Sequence, residues 1–328
     1  MQGFIKLTIV FLISLTLANN SFADTDLTKR SEVQAFINSM VKKHHFKKKY
    51  LNNLFSQVKI RPQVIRHVKK PLEKESWHLY QVLFVSKWRI ENGVKYWEKH
   101  AKTLAKAEKI YGVPASIIVA TIGVESKYGQ VIGKFRVIDS LSSIGFSESP
   151  RAAFFRKELE QFLLLTRENK LNPLKVMGSY AGAIGQPQFM PSSYRNHAIN
   201  FSKSGKIDLM HNEIDVIGSI ANYYKKHGWM THAPIAVRAA TIGERYNYFM
   251  RRDKQIKQAL PLKDLAKYGV IAQSRLISDE EKAKVVELKS HYSTEYWLGF
   301  HNFDVIKRYN ASDSVSYTHL TLPTNREV

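Results

Sequence analysis

The feature that most constrains the fold of this 328-residue chain is an almost wholly apolar run, Ile117–Val124, that lies between two helix-boundary signals. Gly112 is typical of a helix end, and Pro114 suits the first turn of the helix that follows. A helix that is apolar on every side is buried inside its domain. The pattern therefore predicts a central buried helix over residues 115–125, with other elements packed around it.

Amphipathic segments on both sides of this run predict a protein that is helical almost throughout. Their apolar side chains recur at helical spacing, in Val33, Phe36, Ile37 and Met40, in Val94, Trp97, Ala101 and Leu104, in Phe155, Leu159 and Phe162, and in Ile214, Ile217 and Ala221. Strand signals are slight, and residues 131–138 and 206–209 are predicted as short strands or a small hairpin. The predicted fold class is mainly α, with a minor α+β component.

The organisation predicted along the chain has five parts. They are a signal peptide over residues 1–23, an N-terminal helical region over 24–93, a central catalytic core over 94–235, a C-terminal region over 236–315 and a tail over 316–328. The C-terminal region is polar and basic between about 239 and 290, and we expect it to be the looser part. The tail lacks an apolar helical pattern and resembles translated adaptor sequence, so we expect it to be non-native.

The first residues carry the pattern of an export signal. Lys6 precedes the apolar run Leu7–Leu17, which is too short to span a bilayer, and Ser21-Phe22-Ala23 offers small residues for cleavage after Ala23. A buried N-terminal helix or a membrane anchor is the alternative. The chain has no cysteine, so it has no disulfide, no thiol nucleophile and no site for a lipid anchor. We expect a soluble protein of the bacterial periplasm.

The net charge of +22 favours a polyanionic partner. Nucleic acid is the usual partner of so basic a chain, but the predicted export argues against it. The anionic cell wall or a membrane surface is therefore the predicted partner, and a basic secreted protein without such a partner is the alternative.

Glu125 ends the predicted buried helix and is the first candidate for chemistry. The negative end of the helix dipole and the apolar surroundings both disfavour a charged carboxylate, so we expect a raised pKa. A carboxyl group that stays protonated near neutral pH suits a general acid that protonates a glycosidic oxygen. The alternative is an exposed helix-end glutamate paired with Lys127.

A second segment, residues 178–194, is rich in glycine, aromatic residues and side-chain amides. Glycine lets a ligand approach the backbone closely, while aromatic rings stack on sugar faces and amides bind hydroxyl and acetamido groups. No Gly-Lys-Ser/Thr follows, so the segment is not a phosphate loop. It predicts a saccharide site, with tight packing between helices as the alternative.

Together, Tyr111–Pro114, Ile122–Gly129 and Ser179–Tyr194 resemble the membrane-bound lytic murein transglycosylase B family. The resemblance runs from about residue 77 to residue 310. It implies a lysozyme-like catalytic core and a lyase that cleaves the β-1,4 bond between N-acetylmuramic acid and N-acetylglucosamine in peptidoglycan. The implied product end is 1,6-anhydro-N-acetylmuramic acid. The implied partners are glycan strands, with other cell-wall enzymes as further candidates.

The resemblance also implies roles for individual residues. Glu125 matches the single acid/base of the family, and Ser179 and Gln188 match groups that line the saccharide cleft. The further residues implied to contact substrate are Arg151, Tyr223, Tyr194, Tyr309, Asn310 and Tyr80.

A single carboxylate is consistent with this chemistry, whereas ordinary glycosidases use two. Asp139 is the nearest candidate for a second carboxylate, and we interpret it instead as the N-cap of the helix that follows. A peptidoglycan muramidase, which hydrolyses the same bonds, and a non-catalytic wall-binding protein remain the alternative functions.

Family members often carry a calcium loop after the second motif. The corresponding residues here, Asn200–Asp208, have Asn and Ser at the first and third ligand positions and include two lysines. Calcium favours several carboxylate ligands. We therefore predict no metal site and no cofactor.

Overall fold

The computed structural model describes residues 26–69, 84–252, 258–289 and 293–310, together with Ser312 and Thr318. The predicted signal peptide, Tyr80 and all of the predicted tail except Thr318 lie outside the described residues. Contacts within the chain divide it into two units, residues 1–56 and 57–328. The predicted boundaries near residues 93 and 235 remain predictions.

The first unit is a pair of helices, α1 (Ser31–His44) and α2 (Lys48–Phe55), preceded by a 3₁₀ turn at Leu27–Lys29. The apolar spacing predicted for α1 is confirmed, because Val33, Phe36, Ile37 and Met40 are all buried. Phe36 meets Phe55 of α2 edge to face, with ring centroids 5.9 Å apart. Burial of these rings joins the two helices.

The second unit is mainly helical, as predicted. The helices with described bounds are α3 (Pro62–Lys69), α4 (Lys87–Tyr111), α5 (Ala115–Ser126), α6 (Val137–Gly145), α7 (Ala152–Glu168), α8 (Pro191–His197), α9 (Glu213–Lys226), α10 (Arg245–Arg252), α11 (Leu262–Lys267) and α12 (His301–Tyr309).

Helix α5 is the predicted buried helix at the centre of this unit. All of its residues are buried except Ser116 and Glu125, which are half-buried. Gly112 ends α4 in a left-handed conformation, with φ of 70°. Pro114 is the N-cap of α5 rather than its first helical residue. No single helix among the described residues has the length and apolarity to cross a membrane, and α4 and α5 meet that test only as a pair bent by 114°.

The packing of α4 on α5 depends on the ring of Tyr128. The ring lies against Gly93 of α4 and Gly123 of α5, where a Cβ atom would stand 2.6 and 2.5 Å from its hydroxyl oxygen. That hydroxyl donates a hydrogen bond to the carbonyl of Arg89 at 2.8 Å. The two glycines therefore allow Tyr128 to sit between the helices just beyond the end of α5.

A two-residue pairing, β1 (Phe135–Arg136) with β2 (Met177–Gly178), joins the segments that the sequence singled out. Phe135 lies opposite Gly178, so the residues after Glu125 and those before Ser179 are held side by side. The strand predicted within 131–138 is confirmed only at Phe135–Arg136, because Val137 and Ile138 begin α6. The one predicted at 206–209 is wrong, because those residues lie in irregular and turn structure.

The C-terminal region contains a five-stranded antiparallel sheet, so the expectation of a looser part is wrong. The sheet order is β4-β6-β7-β3-β5, with β3 (Ala236–Thr241), β4 (Leu260–Pro261), β5 (Val270–Ala272), β6 (Lys282–Lys289) and β7 (Thr294–Gly299).

Both faces of β6 are covered, which explains why no simple alternation marked it. Val286 and Leu288 pack with Ala120 and Val124 of α5. Ala283 belongs to a second cluster, on the opposite face, with residues of α10 and α11. The apolar residues of β6 therefore point to both faces of the sheet, and charged residues stand between them along the strand. The sheet supports α5 on the side that carries Val124, one residue before Glu125.

Candidate active site

The described residues enclose a cleft of about 530 Å³ that contains the three principal predicted site residues. Glu125, Ser179 and Gln188 all line it. The remaining lining residues come mainly from the turn after α5 and from β1, and they are Gln130, Val131, Ile132, Gly133, Lys134, Phe135 and Tyr180. The helix-end glutamate and the glycine-rich segment therefore line the same cleft, and the roles of their residues stay predictions.

The turn after α5 places Glu125 at the cleft. Three successive residues, Lys127, Tyr128 and Gly129, have positive φ values of 51°, 58° and 85°. The amide of Gly129 donates to the Ser126 hydroxyl at 3.0 Å, and the amide of Val131 donates to the Ser126 carbonyl at 2.9 Å. The chain reverses within this turn, so the residues that follow α5 form a wall of the cleft that Glu125 faces.

Three tyrosines lie near Glu125. Burial, then the charge of Glu125, raises the pKa of Tyr309. Burial is also the main cause that raises the pKa of Tyr223 to about 12, and Glu125 adds to it. The pKa of Tyr224 is raised by burial and by Glu125, although a hydrogen bond with Thr121 at 2.9 Å opposes the shift. Glu125 therefore stands beside an aromatic cluster whose hydroxyls stay protonated.

Hydrogen bonds tie this cluster to the surrounding backbone. Tyr223 donates to the Arg308 carbonyl at 2.8 Å, and Tyr309 donates to the Pro187 carbonyl at 2.6 Å. The centroids of these two rings are 4.7 Å apart. Since Pro187 precedes Gln188, the Tyr309 bond links α12 to the glycine-rich segment. The geometry thus favours a supporting role for both tyrosines, and their predicted substrate contacts stay predictions.

Ser179 and Gln188 present complementary hydrogen-bonding groups. The Ser179 oxygen accepts bonds from the amides of Ala181 and Ala183, so its hydroxyl proton remains to be donated. The Gln188 side-chain nitrogen donates to the carbonyls of Ile132 and Gly185. Its Oε1 remains as an acceptor. The cleft therefore offers one donor and one acceptor on neighbouring turns.

Two glycines make this arrangement possible. Gly133 has φ of 101°, and a Cβ atom there would stand 2.0 Å from the carbonyl carbon of Gly178. Gly185 has φ of 73°, and a Cβ atom there would stand 2.5 Å from the Leu209 carbonyl oxygen. Neither the conformation nor the space accepts a side chain.

Arg151, Tyr194 and Asn310 are not among the residues that line this cleft. Arg151 lines a separate cavity of about 630 Å³ with residues of α3 and of the 144–150 segment. Tyr194 is buried, and its hydroxyl lies 3.4 Å from the Ile207 carbonyl. Asn310 is partly buried at the end of α12. The substrate roles of these residues stay predictions, as does that of Tyr80.

The interpretation of Asp139 as an N-cap is wrong. Arg136 occupies the N-cap position, and Asp139 is the third residue of α6. Its carboxylate is fully buried. Arg61 and Arg136 donate to it through their side chains, and Lys59 donates through its backbone amide at 3.0 Å. Asp139 therefore anchors the 59–61 segment and the end of β1 on α6.

The calcium-like loop satisfies its own oxygen atoms. Asp215 accepts bonds from the amides of Ser202 and Asp208 at 2.8 and 3.2 Å. Asn200 accepts from the Ser204 amide at 3.0 Å. Among the described residues, no group of three His, Asp or Glu side chains is arranged to hold a metal ion. The oxygen atoms of this loop therefore do not form a set of calcium ligands. The absence of calcium binding remains a prediction.

Sequence reasoning missed three polar residues of the cleft, namely Gln130, Lys134 and Tyr180. Tyr180 belongs to the glycine-rich segment, and its aromatic ring there was a signal from which a sugar contact could have been predicted. Gln130 and Lys134 flank an apolar stretch that was interpreted only as a strand. The pairing of β1 with β2 brings Gln130 and Lys134 to the site, and no local sequence pattern predicts that pairing.

Comparisons with known proteins show which family this chain matches. Residues 28–320 match the family described as Transglycosylase SLT domain. The chain is 37% identical over 297 residues to membrane-bound lytic murein transglycosylase B of Escherichia coli K12, covering 88% of this chain and 80% of that protein. It also resembles the crystal structure of soluble lytic transglycosylase SltB1 of Pseudomonas aeruginosa, with 40% identity, a TM-score of 0.81 and coverage of 89% and 96%.

Two further solved structures contain ligands. Escherichia coli lytic transglycosylase Slt35 in complex with calcium is 36% identical, with a TM-score of 0.82 and coverage of 90% and 93%. Pseudomonas aeruginosa SltB3 in complex with NAG-anhNAM-pentapeptide is 25% identical, with a TM-score of 0.76 and coverage of 89% and 77%.

Proposed function

This chain belongs to the Transglycosylase SLT domain family of peptidoglycan lytic transglycosylases, and we propose that Glu125 is the single acid/base of its reaction. The enzyme is a lyase that acts on polysaccharide. The observation that carries the proposal is the position of Glu125, which is the one carboxylate among the described residues that line the cleft.

In the proposed reaction Glu125 first protonates the oxygen of the glycosidic bond between N-acetylmuramic acid and N-acetylglucosamine. The C1–O bond breaks, and the substrate's own acetamido oxygen stabilises the positive charge that develops at C1. Glu125, now a carboxylate, takes the proton from the C6 hydroxyl as that oxygen bonds to C1. The product end is a 1,6-anhydro-muramyl residue, and Glu125 is protonated again.

Ser179 and Gln188 are proposed to orient the acetamido group. An acetamido group has one carbonyl acceptor and one N–H donor. The Ser179 hydroxyl offers a donor, and Gln188 Oε1 offers an acceptor. Fixing the group in this way places its oxygen for participation at C1, and orientation of a reacting group contributes a large part of catalysis.

Two observations favour this reaction over hydrolysis. Most glycosidases that hydrolyse with inversion or retention use a second carboxylate on the opposite side of the bond. Asp139, the nearest candidate in sequence, is fully buried and bound to two arginines. Among the described residues, the cleft lining contains no other carboxylate that would activate water. SltB3, a relative, has been crystallised with an anhydro-muramyl ligand, which is the type of product proposed here.

The family acts on the cell wall, so the chain acts in the cell envelope. We propose that it works in the periplasm as a soluble protein, after export and cleavage behind Ala23. Its proposed binding partner is the glycan strand of peptidoglycan, and other cell-wall enzymes are further proposed partners.

The role of Glu125 is tested by replacing it with glutamine, which keeps the shape of the side chain but cannot transfer the proton.

The experiment compares Glu125→Gln with Glu91→Gln, which removes an exposed carboxylate on α4. We expect Glu125→Gln to lower the turnover of glycan strands by about a thousandfold, with unchanged affinity for the strands. Glu91→Gln should retain full turnover. Retention of more than about a tenth of wild-type turnover by Glu125→Gln would contradict the proposal.

A further inference from the structure

The cleft contains a cation that the reaction itself does not use. Lys134 lines it together with Glu125 and Ser179, and it is the one basic side chain among the described lining residues. The Lys134 side chain is exposed. No ion pair joins it to an acidic side chain of the described residues, although Glu125 lines the same cleft.

The backbone around Lys134 is held in register with the sugar-binding segment. Gly133 packs directly on the carbonyl of Gly178. Phe135 pairs with Gly178 in the β1–β2 ladder. Lys134 lies between these two fixed points, and Ser179 follows Gly178. The backbone of Lys134 is therefore fixed next to the strand that precedes Ser179, and both side chains line the same cleft.

The surroundings of Lys134 have an excess of positive charge. Arg136 follows Phe135, and Arg61 meets it at the carboxylate of Asp139. Arg61 and Arg136 share the one carboxylate of Asp139, so the segment that includes Lys134 carries an excess of positive charge that favours an anion. Arg61 and Arg136 have their guanidinium groups engaged, whereas Lys134 keeps three donors for a ligand.

The glycan strand carries carboxylates in a position to meet this cation. N-acetylmuramic acid bears a lactyl ether at C3, close to the C2 acetamido group. The lactyl group ends in a carboxylate when no peptide is attached, and in a peptide with a free glutamyl carboxylate when one is. N-acetylglucosamine has neither group, so a strand composed of it alone has no anion for Lys134.

We propose that Lys134 is a specificity-determining residue that binds the carboxylate of the muramyl substituent and so selects muramyl over glucosaminyl units in the cleft. The inference rests on the proposed function only in identifying this cavity as the glycan cleft. A lysine suits the task because its compact charge follows a flexible anionic substituent without demanding a planar, two-point geometry.

The test uses disaccharide ligands, so it depends on binding and not on cleavage by Glu125. The three ligands are N-acetylglucosaminyl-N-acetylmuramic acid with a free lactyl carboxylate, the same disaccharide with an alanyl-glutamyl dipeptide, and N,N′-diacetylchitobiose. Their affinities for wild type, Lys134→Met and Lys134→Arg are measured by calorimetry. Lys95→Met, which removes an exposed charge on α4, is the matched control.

We expect Lys134→Met to weaken at least one anionic ligand by about five- to tenfold. Its affinity for diacetylchitobiose should stay unchanged, and Lys134→Arg should recover part of the loss. The ligand with the larger loss identifies which carboxylate is bound, lactyl or peptide. Lys95→Met should leave all three affinities unchanged.

Equal weakening of the neutral and anionic disaccharides by Lys134→Met would overturn the proposal, because a structural role would affect both. Unchanged affinity for every ligand would also overturn it. The proposed function has its own test, because it fails if Glu125→Gln keeps the turnover of wild type. That outcome would leave the comparison of ligand affinities between wild type and the Lys134 variants unchanged.

Discussion

Replacement of Asp139 by asparagine tests whether this carboxylate is structural or catalytic. In the wild type it is fully buried and accepts hydrogen bonds from two guanidinium groups and one backbone amide. Asparagine keeps the size of the side chain and removes its charge. The two arginines then face a neutral amide, and one of the two oxygen acceptors is lost.

The size of the expected loss of stability follows from the solvent exposure of the two arginines that bind Asp139. Removal of one member of a buried ion pair costs about 3–5 kcal/mol. The side chains of Arg61 and Arg136 are 37% and 22% exposed, so water recovers part of their solvation. We therefore expect Asp139→Asn to lower the free energy of unfolding by about 2–3 kcal/mol. The matched control is Glu168→Gln, whose carboxylate is 44% exposed in its pair with Arg195, with an expected loss below about 1 kcal/mol.

The assay combines urea unfolding with analysis of the sugar ends of the products. We expect Asp139→Asn to be less stable than Glu168→Gln while its products, formed below the unfolding transition, keep anhydro ends. Wild-type stability together with a complete loss of turnover would refute the reasoning, because it would assign Asp139 to the reaction. A loss no larger than that of Glu168→Gln would refute the assigned magnitude.

Three further changes test separate parts of the structure. Gly133→Ala should disrupt the β1–β2 pairing and lower turnover by about tenfold or more, since its Cβ would meet the Gly178 backbone; unchanged kinetics would contradict the close approach. Thr121→Val should lower the free energy of unfolding in urea by about 1–2 kcal/mol through loss of the buried bond to Tyr224, and a neutral effect would contradict it. Burial, then the charges of His227 and Lys226, lowers the pKa of His197 below 6.5. The unfolded chain therefore takes up this proton first as the pH falls, and stability is lost from pH 6.5 down to the folded pKa. His197→Asn should show a smaller fall in thermal midpoint than wild type between pH 7.5 and 5.5, and an equal fall would contradict this assignment.

The helical core and the centre of the site were predictable from local pattern. The apolar run before Glu125 predicts a buried helix without knowledge of the rest of the fold, and glycines and amides predict a ligand-binding segment around Ser179 and Gln188, which lie at the cleft. These two signals are local, and the family resemblance adds that they meet.

What was missed depends on contacts between distant residues. Asp139 has the sequence position of an N-cap, and its anchoring role appears only when Arg61, 78 residues away, reaches it. The C-terminal sheet was missed because β6 buries apolar residues on both faces between lysines, which conceals the alternation expected of a half-exposed strand. Lys134 reaches the cleft through the pairing of two-residue strands, which are too short to leave a periodic signal.

The most direct test of the central claim is mass spectrometry of the products from purified peptidoglycan digested with wild type and with Glu125→Gln. We expect 1,6-anhydro-muropeptides from the wild type and none from the variant. Reducing-end muropeptides from the wild type, or anhydro products at an unchanged rate from Glu125→Gln, would contradict it.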